Sequence, residues 1–367
     1  LCSFQKHKNQ KIKQNIVISI YGQKTIRTLA KELNLAVSTV SKALTDSHEI
    51  SAKTKQRVQE LVRQKNYVPN AYASSLRKRK SRTIAVVLPE VADSFFSLSI
   101  NGIEAAAQEQ GYHVLIYLTH ESYSKEQAIL SNFQGGRVDG ILLSITRETP
   151  NSLHIKETIN KGIPVFFFDR VCDEIETVKV ITDDYAISYK ATRHLIEQGC
   201  KRIAFLSFSE TLAIANLRLE GYKKALLDYK IKSYASDVKV CTNDSEQNQL
   251  LVRKLLQQKK IPDGILACVE KLTTPIYKAC QEKKLSIPRD MKVICFSSLE
   301  TAPILNPSLT TVTQPAFELG KTAATLLMKA LDKPNFVLKE ECITLPSTII
   351  VRGSTGLRKI NSRPQKH

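Results

Sequence analysis

From Arg82 onward the chain repeats one pattern about ten times: a short apolar run, a helical stretch, then another apolar run. Runs at 83–88, 112–118, 140–143, 164–168 and 179–181 alternate with helical periodicity at 98–110, 125–134, 151–161 and 185–198. The alternation resumes with runs at 202–206, 238–241, 264–268 and 292–296. A strand that is apolar at successive positions, rather than at every second one, is buried on both faces. That condition is met in a parallel sheet covered by its crossover helices. So many units exceed one compact sheet, and the expected body is two similar doubly wound α/β subdomains with a cleft at their switch points. A chain of 367 residues buries a core large enough to need no disulfide or metal staple.

The first 82 residues are of another kind. They hold 18 Lys+Arg against 4 Asp+Glu, a net +14 of the whole chain's +19. A basic head on a nearly neutral body calls for a polyanion partner, because clustered Lys and Arg gain by displacing condensed counterions. No apolar run exceeds five residues, which leaves no membrane span and no signal-peptide core, and the expected location is the cytoplasm, at the nucleoid. The eight cysteines form no Cys-x-x-Cys pair and have no His at metal spacing. Most are expected to be buried thiols, with no metal and no cofactor. Residues 1–23 read as a disordered leader or as translation assigned too far upstream.

Within the head, apolar positions at Ile26, Leu29, Ala30 and Leu33, then at Val37, Val40, Ala43 and Leu44, fall at helical spacing. Asn34 lies between them and tolerates the left-handed conformation that ends a helix. A third helix is expected over 51–65, with Ser51 as its cap and Val58, Leu61 and Val62 facing inward. Two short helices joined by a tight turn in a basic unit make a helix-turn-helix, with Leu29, Ala30, Val40 and Ala43 as its seam. Val37, Ser38 and Lys42 then point outward toward base edges, and Thr25, Thr39 and Ser41 toward phosphates. A small helical bundle with a solvated basic face would show the same periodicity.

The spacing is more specific than the periodicity. Ala36-Val37-Ser38-Thr39-Val40-Ser41-Lys42-Ala43-Leu44, Ile50-Ser51-Ala52-Lys53-Thr54 and Asn66-Tyr67-Val68-Pro69-Asn70-Ala71-Tyr72-Ala73-Ser74-Ser75-Leu76 resemble the DNA-binding head and hinge of the lactose/galactose repressor (LacI/GalR) family. The likeness continues through Phe168-Asp169-Arg170, Asp183-Asp184, Arg218-Leu219-Glu220-Gly221-Tyr222 and Pro307-Ser308-Leu309-Thr310-Thr311-Val312, and so covers roughly 24–356. It implies a periplasmic-binding-protein-like pair of parallel-sheet subdomains behind a small all-α head. The head would span 24–69, hinge and linker 70–82, and the body 83–356, followed by a basic tail at 357–367. The N-terminal subdomain would comprise 83–182 and 312–340, and the C-terminal one 183–311 and 341–356.

The resemblance also implies a homodimer on a near-palindromic double-stranded DNA operator. Asn70 would join the phosphate contacts, while Ala73 and Leu76 enter the minor groove and Leu76 kinks it. Ala36 departs from the family's usual capping residue at the start of the recognition helix, a loss of about 1 kcal/mol. In the body the family binds a small effector, and Phe95, Phe96, Asp169, Arg218 and Ser297 are the expected contacts. Phe95 and Phe96 would lie in the loop after the first strand, and Asp93 would cap the helix behind them. Asp169 sits at a strand C-terminus, where parallel sheets place their ligands.

Two departures bear on the ligand. Val269-Glu270 stands where sugar-binding relatives carry Asn-Asp, and Cys295-Phe296-Ser297-Ser298 where many carry Gly-aromatic-Asp. A sugar or sugar derivative is the expected effector, with a plain polyol disfavoured against a less polar, phosphorylated or acidic molecule. The alternative is a DNA-binding regulator with a degenerate cleft, controlled by a partner protein. An enzyme is not expected: the seven His stand in no catalytic or metal pattern, and no Gly-rich phosphate loop occurs. A solute-binding protein of the same body fold would lack the head.

Overall fold

The computed structural model describes residues 25–67, 81–333 and 339–356. The expected leader, the hinge positions Asn70, Ala73 and Leu76, and the tail lie outside them. The chain divides into two compact units, Leu1–Lys78 and Arg79–His367.

The described part of the first unit is three helices, α1 (Ile26–Leu33), α2 (Val37–Leu44) and α3 (Ala52–Gln64). Local chemistry sets their ends. Thr25 caps α1 by accepting from the Thr28 amide, and the Thr28 hydroxyl accepts in return from the Thr25 amide. Asn34 takes the left-handed conformation at φ 55° and closes the helix. Ala36 begins α2 without a side-chain cap, as its residue type dictates, whereas Ser51 caps α3 through the Thr54 amide. Leu29, Ala30, Val40, Ala43 and Val58 are buried together, with Leu61 and Val62 partly buried against them. The seam is therefore the expected one.

The second unit contains two six-stranded sheets. The first takes β1 (Thr83–Leu88), β2 (His113–Leu118), β3 (Gly140–Leu143), β4 (Val165–Phe168) and β5 (Val178–Thr182), with α4 (Ser94–Glu109), α5 (Tyr123–Asn132) and α6 (Leu153–Asn160) in the crossovers. After α7 (Asp184–Glu197) the second sheet takes β6 (Ile203–Ser207), β7 (Val238–Val240), β8 (Gly264–Ala267), β9 (Lys292–Phe296) and β10 (Thr310–Thr313). Its connecting helices are α8 (Ala213–Asp228), α9 (Ser245–Leu255) and α10 (Thr273–Glu282). The chain then returns through α11 (Ala316–Asp332) to β11 (Glu341–Leu345) and crosses again to β12 (Thr348–Ile350). The strand orders are β11-β5-β4-β3-β1-β2 and β12-β10-β9-β8-β6-β7, parallel throughout except for antiparallel β12 on β10. The fold is the expected doubly wound pair.

Two details differ from expectation. The later crossings fall elsewhere: β10 stays in the second sheet to Thr313, and β11 pairs with β5 in the first, so 341–345 is not part of the C-terminal subdomain. Glu341-Cys342-Ile343-Thr344-Leu345 and Thr348-Ile349-Ile350 are both short edge strands with mixed polarity, and nothing local assigns either to a sheet. The second difference is the start of α4 at Ser94. Phe95 and Phe96 lie in its first turn rather than in a loop, because Asp93 accepts from the Phe95 amide at 3.0 Å and caps the helix ahead of them.

Five of the seven cysteines within the described residues are buried; Cys172 is half-buried and Cys342 exposed. Among the described residues no helix is long and apolar enough to cross a membrane, and no group of three or more His, Cys, Asp or Glu could hold a metal ion.

Candidate functional site

On the head, α2 turns Val40 and Ala43 inward, which leaves Val37, Ser38 and Lys42 on the open side of the helix. All three are exposed, and Thr39 and Ser41 flank them half-buried. The Lys42 ammonium is ion-paired with Glu49, both side chains being about half exposed. An exposed pair of this kind contributes about 0–1 kcal/mol, so a stronger anion can draw the lysine away. The Thr25 hydroxyl already serves its helix as a cap, although the residue remains exposed.

In the body the strands of both sheets end around one cavity of about 430 Å³, counting its part open to solvent. Its walls follow from the strand-end rule. Asp93, Phe95 and Phe96 come after β1, Asp169 and Arg170 after β4, Phe208 after β6, Ser297 after β9 and Gln314 after β10. Arg218 reaches in from α8. The structure thus brings all five expected cleft residues to one cavity. Arg170, Phe208 and Gln314 were missed, though the position after a strand was a sufficient signal for each.

The two arginines are anchored differently. Arg218, 4% exposed, donates through Nε to Asp184 at 2.6 Å and through Nη1 to the Cys268 carbonyl at 2.7 Å, with its guanidinium 4.0 Å from the centre of the Phe296 ring. Asp184 also accepts from the Thr182 hydroxyl at 2.9 Å, and that hydroxyl accepts from Gln314 at 2.9 Å. Arg218 therefore sits at the end of a hydrogen-bonded chain that joins two of the crossings between the sheets. Arg170 donates to both oxygens of Glu121, at 2.9 and 3.0 Å, and lies over the rings of Phe96 and Phe208.

Asp169 has a backbone in the left-handed region, φ 61°, and its amide is tied to the Val180 carbonyl. Its carboxyl stands 3.8 Å from Arg170 Nε. Burial pushes that carboxyl up to about 7, against the pull of Arg170 and Arg218. Asp93 is pushed up to about 6, first by burial and then by the nearby Glu270.

A carboxyl whose folded pKa lies above its ordinary value of 3.8 contributes stability that is fully present below 3.8 and lost as pH rises to about 7. Asparagine keeps the left-handed backbone that this position requires. Asp169→Asn should therefore flatten the fall in stability between pH 4 and 7 and leave the body more stable than wild type at pH 8. Urea unfolding at a series of pH values reads this directly; a loss of stability at pH 8 would mean that attraction to the arginines outweighs the cost of burial.

A cavity framed by two parallel-sheet lobes, in a chain that opens with a basic helix-turn-helix, defines a regulator with a DNA-reading head and a ligand-sensing body. A family profile described as "Bacterial regulatory proteins, lacI family" matches residues 25–70, and one described as "Periplasmic binding proteins and sugar binding domain of LacI family" matches 81–346. The chain belongs to the LacI family, and it is a DNA-binding transcription regulator rather than an enzyme. It is 30% identical over 332 residues to a ribose operon repressor of Halalkalibacterium halodurans, covering 90% of this chain and 97% of that protein. It is 27% identical over 331 residues to the HTH-type transcriptional repressor CytR of Escherichia coli, covering 90% and 96%. The lac repressor dimer bound to operator and the anti-inducer ONPF is similar in fold, with TM-score 0.79 at 22% identity over 90% of this chain and 98% of that one.

Proposed function

We propose that the chain is a homodimeric repressor that binds a near-palindromic operator and is switched by a carbohydrate or carbohydrate derivative in the cleft. The observation that carries this reading is the cavity at the strand ends. It offers acceptors on Asp93 and Asp169, guanidinium groups on Arg170 and Arg218, and the apolar rings of Phe96 and Phe208. Hydroxyl groups that both donate and accept, on a ring with an apolar face, match that set of partners. The family's sugar-binding profile over the body and the likeness to a ribose operon repressor support the same ligand class.

Val37, Ser38 and Lys42 would read bases, Thr39, Ser41 and Thr25 would bond phosphates, and Asn70, Ala73 and Leu76 would serve the hinge. Lys42→Ala should weaken operator binding by about 1–3 kcal/mol and relax preference at one operator position. Selection of bound fragments from genomic DNA by the wild-type and variant proteins, with and without a panel of sugars, tests the whole reading. A palindrome whose enrichment changes with one sugar supports it; a palindrome indifferent to every sugar would remove the effector, and an unchanged site for Lys42→Ala would move the recognition surface off α2.

A further inference from the structure

The two segments Val269-Glu270 and Cys295-Phe296-Ser297-Ser298 meet in space. Glu270, in a 3₁₀ turn just after β8, belongs to the second lobe, yet its carboxylate does not face the cavity as a free acceptor. It accepts from the Ser94 amide at 2.6 Å and from the Ser94 hydroxyl, at the first turn of α4 in the other lobe. From its own lobe it receives the Ser297 hydroxyl at 3.2 Å and the Ser298 amide at 3.4 Å. The residue is only 8% exposed. A buried carboxylate needs this number of donors, and the N-terminal end of a 16-residue helix is a favourable neighbour for one. The neighbouring Lys271 ammonium donates to Asn243 Oδ1 of its own lobe at 2.8 Å and reaches Glu90 of the first lobe at 3.5 Å. Beyond the cavity, the Thr211 hydroxyl of the second lobe donates to the Arg147 carbonyl of the first at 2.9 Å.

We propose that Glu270 is an interlobe latch: its carboxylate, seated on Ser94, ties the second lobe to the first beside the cavity. Glutamate suits this role because its two side-chain methylenes let the carboxylate reach across to Ser94 while its turn stays against Ser297 and Ser298. The latch sets how often the cavity opens to admit any ligand. It also sets the resting arrangement of the lobes, and this does not depend on which effector binds or on whether one does.

Hydrogen exchange on the ligand-free, full-length protein tests the latch, because opening exposes amides on both sides of the cleft together. Glu270→Gln keeps an acceptor but loses the charge; Ser94→Ala removes a donor from the first lobe without touching the second. The expected result is that Glu270→Gln raises exchange about tenfold in the first-lobe segment 90–97, and that Ser94→Ala raises it comparably in the second-lobe segments 268–272 and 296–300. Glu270→Ala should do both at least as strongly. Should Glu270→Ala fail to fold, the other two variants decide the matter alone. Changes confined to the lobe that carries each substitution, or no change in any variant, would overturn the proposal and leave Glu270 a local fixture of its own turn.

Discussion

Replacing Arg218 with alanine is expected to cost the body about 3–5 kcal/mol of folding stability, because it leaves a buried anion without its cation. Asp184 lies almost wholly inside the protein, and Arg218 Nε is its charged partner at 2.6 Å; the Thr182 hydroxyl remains as a neutral donor. The same change strips the Cys268 carbonyl of its donor and removes the cation from the Phe296 ring. Asp184 and Thr182 lie where the chain passes between the sheets, so the damage falls on the relation of the lobes as well as on the core. Urea unfolding of wild type, Arg218→Ala, Asp184→Asn and the double variant checks the cause. If the ion pair carries the effect, adding Asp184→Asn to Arg218→Ala recovers part of the lost stability; strict additivity would show that lost packing, not the stranded charge, is responsible.

Gly320→Ala should destabilise the body by about 3 kcal/mol even though alanine favours a helix by about 1 kcal/mol over glycine. A Cβ at position 320 on α11 would stand 2.0 Å from the Ser99 carbonyl oxygen of α4, and one at Gly102 on α4 would stand 2.0 Å from the Phe317 carbonyl oxygen of α11. Each glycine faces the other helix's backbone, and backbone cannot rotate away as a side-chain tip can. The helices must separate. Because α4 carries Asp93, Ser94, Phe95 and Phe96 at its first turn, separation also displaces one wall of the cavity. The check is a denaturation midpoint beside that of Ala323→Gly, a change on the same helix that should cost no more than its lost methyl and its lower helix propensity. Equal or smaller loss for Gly320→Ala would mean that the crossing has room to relax.

Much of this architecture is legible in one dimension. Ile-Ala-Val-Val-Leu at 84–88 and Val-Phe-Phe-Phe at 165–168 are apolar at every position, and such runs are buried on both faces wherever they fold. Asn34 and Ser51 mark helix ends because each acts on backbone only a few residues away, whereas Thr25, read only as a phosphate contact, is shown by the structure to cap its helix as well. The missing cap at Ala36 is legible for the same reason. Asp169 and Arg218 stood out by motif, and the strand-end position of Asp169 gave a physical reason for it. The start of α4 was misplaced because Phe95 and Phe96 satisfy a loop as well as a first helical turn, and only the Asp93 cap decides between them.

By itself the sequence determined the layers, the three-helix head and the cleft at the strand ends, since periodicity and capping are properties of residues close together in the chain. Only the tertiary structure decided that β11 joins the first sheet and that Glu270 reaches Ser94, 176 positions away. The physical reason is the parallel sheet itself: it gathers the ends of strands distant in sequence onto one rim, so which carboxylate meets which donor depends on how the lobes close.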